Sequence, residues 1–380
     1  MNILVIPSWY STNKNPTSGS FFREQAHAIS KKGNKVIIAF VEVILLSDKS
    51  IKSKLEVIDD NGIKTYRIIQ GKIPKTGNVG TAIAFRQGLR KIYRKIIKEE
   101  KIDIVHLHSC IWGGLGGTFI AKKLNVPLVI TEHSSYYGRF NVSFLERQII
   151  KYSFKNADKV IAVSNYLKEF ITKYCNENID IVPNMVDCNE FLYCKAKNKI
   201  NSDKFTFLSL CYLKKNKGVD ILIKAFSKYF KGENVELIVA GDGPEKNFLE
   251  ELANKLEISN QITFKGALLR EEVKCEMRNC NAFVLPSRFE TFGVVLIEAL
   301  ASGKPIISTR NGGGNDIVND INGLLVNIDD IDELGEKMFY MYKKYNKYDS
   351  YLIRENCINK YSEEKVIQKL LNIYKEINGK

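Results

Sequence analysis

The chain of 380 residues is longer than one domain of ordinary size, so its length predicts two domains. Hydrophobic residues make up 44% of it and charged residues 26%, the balance of a globular protein with a substantial core. A membrane-spanning helix needs about 20 consecutive apolar residues. The longest apolar run, at 36–46, is short and interrupted by Glu42, so a spanning helix is not indicated.

The eight cysteines form no CxxC pair, which favours reduced thiols in the core over a zinc ribbon or a disulfide framework. The N-terminus lacks a charged segment followed by an apolar block, so no secretory signal is indicated. We therefore expect a cytoplasmic protein, with the inner face of the cell membrane as the alternative location.

The net charge of +14 is concentrated in the first half of the chain. Residues 1–186 carry 28 Lys and Arg against 15 Asp and Glu, whereas the remainder carries 29 against 28. A basic first half favours an anionic surface or acceptor, such as phospholipid, a phosphorylated carrier or nucleic acid. An ordinary solvated basic surface is the alternative reading.

Short β-branched runs alternate with helical patterns through the first half. The predicted strands lie at 3–7, 36–40, 64–69, 104–108, 128–131 and 159–163, and the predicted helices at 21–32, 81–100 and from about 112–117. Strands that alternate with helices of this length predict right-handed crossovers and a parallel sheet.

The alternation restarts after a connector rich in Asn, Lys and Asp at 184–204. The predicted strands of the second half lie at 205–210, 235–240, 262–264, 282–285 and 305–308, and a last helix covers 362–377 with Ser362 as its N-cap. The fold class is therefore α/β, with two Rossmann-like doubly wound domains facing a central cleft. The predicted bounds are 1–186, 187–364 and, for the C-terminal helix, 365–380.

The strongest chemical signal is the segment 286–301. Glu290 lies in a loop after a strand, and a helix that begins near Phe292 is apolar from 294 to 301 except for Glu298. A helix apolar on all sides belongs in the interior, where a carboxylate needs hydrogen-bond donors. The hydroxyl groups of a bound ribose would supply such donors. The alternative is that the Glu298 carboxylate caps or bridges N–H groups of the neighbouring backbone. The helix N-terminus also suits a phosphate.

Weaker signals surround this segment. Lys217 follows the first strand of the second domain and suits a diphosphate, although a solvated loop lysine is the commoner outcome. Gly241 and Gly243 end the next strand, a turn signal by themselves. In the first half, Gly19 lies in a loop between strand and helix, and His133 follows a strand at its carboxyl end.

The other histidines are assigned on position alone. His106 is expected to pack and His27 to be structural, whereas His108 stays undecided. Asp330 and Asp332 form a DxD, but they precede a predicted helix, where acidic residues are expected in any case. No metal site is predicted.

The helix at 81–100 is basic and amphipathic. Its basic residues are Arg86, Arg90, Lys91, Arg94, Lys95 and Lys98, and its apolar side is predicted to carry Phe85, Leu89, Ile92, Tyr93, Ile96 and Ile97. Such a helix can rest on anionic lipid or cover the sheet with a basic outer face, and the sequence leaves both open.

The segment 286–311 resembles the signature of family-4 glycosyltransferases, since Glu290 and Glu298 are separated by seven residues and Gly-Lys-Pro follows at 303–305. The resemblance covers nearly the whole chain. It continues at 19–25, 103–106, 131–133, 163–164, 183–187, 217–218, 241–244 and 312–313. The double-glutamate block is specific, and the other segments occur in the order of the family.

The resemblance implies the GT-B architecture and a retaining, metal-independent transfer from a UDP- or GDP-linked sugar, with no cofactor. The implied acceptor is a glycan or lipid-linked molecule in bacterial surface polysaccharide assembly. The implied catalytic residues are His133, Glu290 and Lys217; the implied donor-binding residues are Glu298, Thr291, Phe292, Gly293, Gly241, Gly243, Gly19, Tyr212 and Arg288. Glu298 would bind ribose, Glu290 the sugar hydroxyls and Lys217 the diphosphate.

One position departs from the family, which usually has an arginine where this chain has Tyr212. Arg288, Lys214 or Lys215 would have to compensate; otherwise Tyr212 marks a non-catalytic nucleotide-sugar-binding relative. A nucleotide-sugar epimerase of the same architecture is the rival enzyme. A nucleic-acid partner is not expected, because the basic excess stops at the second domain and no binding motif is present.

Overall fold

A computed structural model describes residues 1–11, 18–46, 54–139, 142–175, 178–192 and 204–379. The chain divides into two compact units. Unit 1 comprises Met1–Pro183 and Val366–Lys380, and unit 2 comprises Asn184–Lys365. The division after Pro183 lies three residues before the boundary at 186 expected from the sequence. Most of the predicted connector, residues 193–203, lies outside the described residues.

Unit 1 contains a sheet of eight strands among its described residues. They are β1 (Asn2–Pro7), β2 (Lys35–Leu45), β3 (Leu55–Asp60), β4 (Ile63–Lys72), β5 (Ile104–His108), β6 (Leu128–Glu132), β7 (Lys159–Ala162) and β8 (Ile179–Ile181). Their order is β3-β4-β2-β1-β5-β6-β7-β8. The central strands are buried on both faces, as expected of parallel strands covered by helices.

The predicted parallel sheet is confirmed except at one edge, where β3, a strand that was not predicted, pairs antiparallel with β4. The two strands are joined by Asn61 and Gly62, both with positive φ. Asn-Gly is the preferred sequence of a tight hairpin turn, so the signal was present. The strand itself escaped notice because its side chains are mostly exposed and carry no apolar alternation.

Helices cover the sheet of unit 1. They are α1 (Ser20–Lys31), α2 (Gly77–Glu99), α3 (Cys110–Leu124), α4 (Tyr136–Arg139), α5 (Phe144–Lys155) and α6 (Asn165–Ile171). The last three were not predicted from the sequence. Local capping explains two of them: Ser143 and Glu146 form a capping box at α5, and the Ser164 hydroxyl accepts from the Leu167 N–H at α6.

Unit 2 contains a parallel sheet of six strands among its described residues. They are β9 (Phe205–Leu210), β10 (Val235–Ala240), β11 (Ile262–Gly266), β12 (Ala282–Leu285), β13 (Ile306–Thr309) and β14 (Gly323–Val326), in the order β11-β10-β9-β12-β13-β14. The helices are α7 (Val219–Phe230), α8 (Lys246–Lys255), α9 (Arg270–Asn279), α10 (Val294–Ala301), α11 (Gly313–Ile317), α12 (Ile331–Lys343) and α13 (Ser350–Tyr361). Asp330 is the N-cap of α12 and accepts from the Glu333 N–H.

The last helix, α14 (Glu363–Asn378), begins after Ser362, whose hydroxyl accepts from the Lys365 N–H at 3.4 Å. The predicted N-cap is thus confirmed. Further along, the Tyr374 hydroxyl lies 2.6 Å from His106 Nδ1, and both side chains are completely buried in unit 1.

Both sheets reverse their strand order at one point, between β1 and β5 in unit 1 and between β9 and β12 in unit 2. The crossovers on the two sides of such a point run in opposite directions and leave a crevice at the carboxyl ends of the strands. Gly19 follows β1, and Lys217 and Glu290 follow β9 and β12, so these predicted site residues lie on loops at the two reversal points.

Candidate functional site

In unit 2, the loops that follow β9 and β12 meet at the point where the strand order reverses. Lys217 ends a single 3-10 turn after β9, and Glu290 lies in the loop that leads from β12 into α10. The Lys217 Nζ atom lies 2.5 Å from Glu290 Oε2, and the two side chains remain 22% and 18% exposed. The structure thus brings two of the predicted catalytic residues into direct contact at a solvent-accessible edge.

The two loops also touch through their backbones. The Arg288 N–H donates to the Asn216 carbonyl at 2.8 Å. Gly218 has a φ of 68°, and a Cβ atom at that position would overlap the Pro286 carbonyl oxygen. Glycine is required there both for its left-handed backbone and for this close approach.

The Glu290 loop is held from its other side by the last residue of β13 and by residues that follow this strand. The Gly313 N–H donates to the Glu290 carbonyl at 3.0 Å. The Asn311 amide and the Thr309 hydroxyl both donate to the Ser287 carbonyl, at 2.8 and 2.5 Å. These buried bonds fix the backbone that presents Glu290, as a preorganised site requires.

Glu298 lies on α10 with its side chain only 5% exposed. Its carboxylate accepts a hydrogen bond from Arg270, the first residue of α9. The Arg270 guanidinium in turn lies over the Phe191 ring at 4.8 Å. The buried carboxylate is therefore paired with a charged side chain that belongs to a different helix.

Arg270 was not among the predicted site residues. A signal was available, because cations are unfavourable in the first turn of a helix and an arginine at that position needs another partner. Its partner is 28 residues away along the chain, so the pairing itself could not be inferred from spacing.

The other predicted donor-site residues of unit 2 lie on the same edge of the sheet. Thr291, Phe292 and Gly293 complete the Glu290 loop, and α10 begins at Val294, two residues after Phe292, near which its start was predicted. The Phe292 ring packs against Tyr361 at 5.9 Å, so its side chain belongs to the core. Gly241 and Gly243 follow β10, the neighbour of β9.

Tyr212 and Arg288 differ in how the structure places them. Tyr212 follows β9 and is 56% exposed, with the Lys214 ammonium over its ring at 4.7 Å. The Arg288 guanidinium pairs with Asp220 at 3.0 Å and with Asp329 at 2.6 Å. The structure does not bring Arg288 to the Lys217–Glu290 pair, and these contacts favour a role in holding the loop.

In unit 1, His133 follows β6, the strand next to β5, and contacts residues at the strand-order reversal. Its Nε2 atom lies 3.0 Å from Nδ1 of His108, and its ring packs edge-on against Phe22 at 4.9 Å. Phe22 belongs to α1, whose N-cap is Gly19. The structure thus brings the Gly19 loop and His133 together. Pro16 and Thr17 of that loop lie outside the described residues.

The histidines of β5 are buried and neutral. His106 lies between the Thr131 hydroxyl, at 2.8 Å, and the Tyr374 hydroxyl, which confirms the predicted packing role. Burial lowers the pKa of His106 to about 3. Burial also lowers the pKa of His108 well below its usual value, with smaller contributions from the neighbouring imidazoles of His106 and His133.

Glu132, next to His133, is a second residue whose role was missed. It is completely buried and accepts four hydrogen bonds: from the N–H groups of Cys110, His133 and Ser134 and from the Tyr137 hydroxyl, at 2.8–3.0 Å. A buried carboxylate with four donors is satisfied. It fixes the backbone from which His133 projects.

The basic helix α2 covers the sheet and also exposes apolar residues. The Arg86 and Arg90 guanidinium groups lie over the Phe119 ring, at 5.5 and 5.2 Å. Ile97 was predicted on the apolar side, yet it is 47% exposed, and Ile83 is 48% exposed. Across the described residues, no helix is both long enough and apolar enough to cross a membrane.

Two family models match the chain. The model described as glycosyl transferases group 1 matches residues 194–356, and that of glycosyltransferase family 4 matches residues 19–190. An uncharacterized glycosyltransferase of Methanocaldococcus jannaschii is 35% identical over 62% of this chain and 64% of its own length. The alpha-monoglucosyldiacylglycerol synthase of Streptococcus pneumoniae is 28% identical over 60% and 56%. The chain thus spans less than two thirds of these relatives.

Solved structures resemble the chain over nearly its full length. Sucrose-phosphate synthase from Thermosynechococcus elongatus has a TM-score of 0.78 at 18% identity, covering 99% of this chain and 98% of that one. Anabaena HepE in complex with UDP has a TM-score of 0.77 at 17% identity, covering 99% and 100%. These likenesses show the GT-B fold. With both halves matched by the family models, the chain belongs to the group 1 glycosyltransferases.

Proposed function

We propose that the chain is a retaining glycosyltransferase that moves a sugar from a UDP- or GDP-linked donor to a glycan or lipid-linked acceptor. The observation that carries the proposal is the contact between Lys217 and Glu290 at the strand-order reversal of unit 2. A cation and a carboxylate side by side suit a donor that presents a diphosphate next to sugar hydroxyls.

Lys217 would neutralise the charge that develops on the diphosphate as the glycosidic bond breaks, together with backbone N–H groups near Phe292 and Gly293, just before α10. Glu290 would then exchange the Lys217 ammonium for hydroxyl donors of the sugar. Glu298, held by Arg270, would accept from the ribose. These groups would do the work of a metal ion, so we propose transfer without a metal or another cofactor.

In unit 1, His133 would lie beside the donor sugar. Because burial keeps His108 neutral, one nitrogen of the His108–His133 contact donates and the other accepts. This contact fixes the orientation of the His133 ring. The Gly19 loop, packed beside His133 through Phe22, would close towards the phosphates.

The names of similar proteins support the choice of donor and acceptor. HepE has been solved with UDP and UDP-glucose, and the Streptococcus pneumoniae relative is named for a glycolipid. We therefore propose residues 1–186 as the acceptor-binding part, 187–364 as the donor-binding part, and surface polysaccharide assembly as the pathway. The basic α2 with exposed Ile83 and Ile97 suits peripheral contact with an anionic membrane.

The test is donor turnover in the presence of a chelator. The protein is incubated with UDP- and GDP-linked hexoses and hexosamines in EDTA, and the sugar released to water is followed by proton NMR. We expect one donor to be consumed and its sugar to appear first in the anomeric configuration of the donor. Release of the inverted anomer or an absolute need for a divalent cation would contradict the proposal. An epimerised donor would indicate a nucleotide-sugar epimerase. Binding of a donor without turnover would indicate a non-catalytic relative.

A further inference from the structure

Unit 1 contains a pocket of about 260 Å³ at the carboxyl edge of its sheet, beside β1, β2 and β4. Five aromatic side chains contribute to its wall: Trp9, Tyr10, Phe40, Phe85 and Trp112. The proposed donor chemistry uses none of them. Ligand pockets are typically aromatic and apolar with a few placed polar groups and hold about 300–1,000 Å³. A pocket just below that range fits one ring and not an extended chain of rings.

The aromatic wall is held in place by the protein itself. The Trp9 and Trp112 rings meet edge-on at 6.1 Å, and the Trp112 indole N–H donates to Asn78 Oδ1 at 2.9 Å. Trp9 packs on Phe22 at 5.2 Å, and Phe22 contacts His133. The pocket is therefore preformed and lies one aromatic ring away from His133 on the same edge of the sheet.

The charged residues that line the pocket are Glu42 on β2 and Lys72 at the end of β4. The Lys72 ammonium donates to the Thr81 hydroxyl at 2.8 Å. The Glu42 carboxylate is half-buried, and none of the residues that the structure describes gives it a hydrogen bond or an ion pair. A carboxylate only accepts, so a half-buried one facing an aromatic wall is suited to a ligand that donates.

We propose that this pocket binds one uncharged sugar ring of the acceptor. The C–H groups of the ring contact the indoles of Trp9 and Trp112, which stand nearly perpendicular to each other, and dispersion favours that contact. One hydroxyl donates to Glu42, and another accepts from Lys72. A phosphate is disfavoured because Glu42 would repel it. The inference rests on the proposed function, and it names the part of the acceptor that unit 1 recognises.

Tryptophan fluorescence tests this directly, because the chain contains two tryptophans and both line the pocket. The full chain is titrated with methyl glycosides of glucose, galactose, mannose and N-acetylglucosamine. We expect a saturable change with at least one of them, and an affinity about tenfold weaker in Glu42→Gln, the usual loss for a hydrogen bond to a charged group. Glu56→Gln, an exposed carboxylate on β3, is the matched control and should bind as wild type.

Three results would overturn the inference: no saturable change with any glycoside, equal affinity in Glu42→Gln, or tighter binding of glucose 6-phosphate than of methyl glucoside. Nucleotide binding by calorimetry separates this failure from failure of the proposed function. If UDP or GDP binds and the donor turns over while no glycoside binds, only the assignment of the pocket is contradicted. If glycosides bind but no donor turns over, the pocket does bind a sugar, and the proposed glycosyltransferase function is contradicted.

Discussion

Replacing Lys217 with alanine should lower donor turnover by about 10²–10³-fold, the usual loss when one preorganised group facing developing charge is removed. The Lys217 ammonium is fixed 2.5 Å from Glu290 at the edge of the sheet, where the leaving diphosphate would lie. Since its charge is needed most as the bond breaks, kcat should fall more than KM rises. Initial rates, measured over a range of concentrations of the donor found in the turnover test, give both kcat and KM.

Two further variants show whether a loss of turnover in Lys217→Ala is due to the lost charge. Lys217→Arg keeps the charge but changes its shape and should recover part of the rate. Lys255→Ala removes an exposed lysine at the end of α8 and should leave turnover unchanged. Turnover within about threefold of wild type in Lys217→Ala would show that this lysine does not face the leaving group.

Replacing Gly218 with alanine should destabilise unit 2 by about 3–5 kcal/mol, the upper range for single substitutions, and abolish nucleotide binding. The new Cβ would overlap the Pro286 carbonyl and strain a backbone with a φ of 68°. The loops that carry Lys217 and Glu290 would be pushed apart. Hydrogen exchange of the β9 and β12 amides measures the loss of stability in unit 2 itself. Thermal unfolding of the whole chain would not separate the two units.

Gly232→Ala is the matched control, because Gly232 has a φ of 84° and open space around its Cβ position. It carries the left-handed backbone cost of about 1–2 kcal/mol without the overlap. Equal destabilisation by the two substitutions would mean that the contact between the loops contributes nothing.

The strands were the most predictable part of the fold. The bounds of β5, β9, β10 and β12 agree with those expected from the sequence, because each strand is a short run dominated by β-branched, aromatic and other apolar residues. The exposed β3 had no such run. Short helices such as α5 and α6 escaped because their start depends on one capping residue and their apolar stripe is brief.

Most residues of the candidate site could be predicted from the sequence, but the contacts between them could not. Lys217 and Glu290 are 73 residues apart, and only the strand order that places β9 beside β12 brings them together. His108 stayed undecided because its partner, His133, follows the neighbouring strand. Arg270 was missed since nothing in its own segment shows that α10 buries a carboxylate opposite it.

The most direct test of the donor site is calorimetric binding of UDP and GDP, in EDTA, to the wild type and to Glu298→Ala. Glu251→Ala, an exposed carboxylate on α8, is the control. We expect one nucleotide to bind the wild type and the control equally. Glu298→Ala should bind it about 10–100-fold more weakly, since a hydrogen bond to a charged group is worth about 1.5–3 kcal/mol. Failure of both nucleotides to bind, or equal affinity in Glu298→Ala, would contradict a donor site built around Glu298.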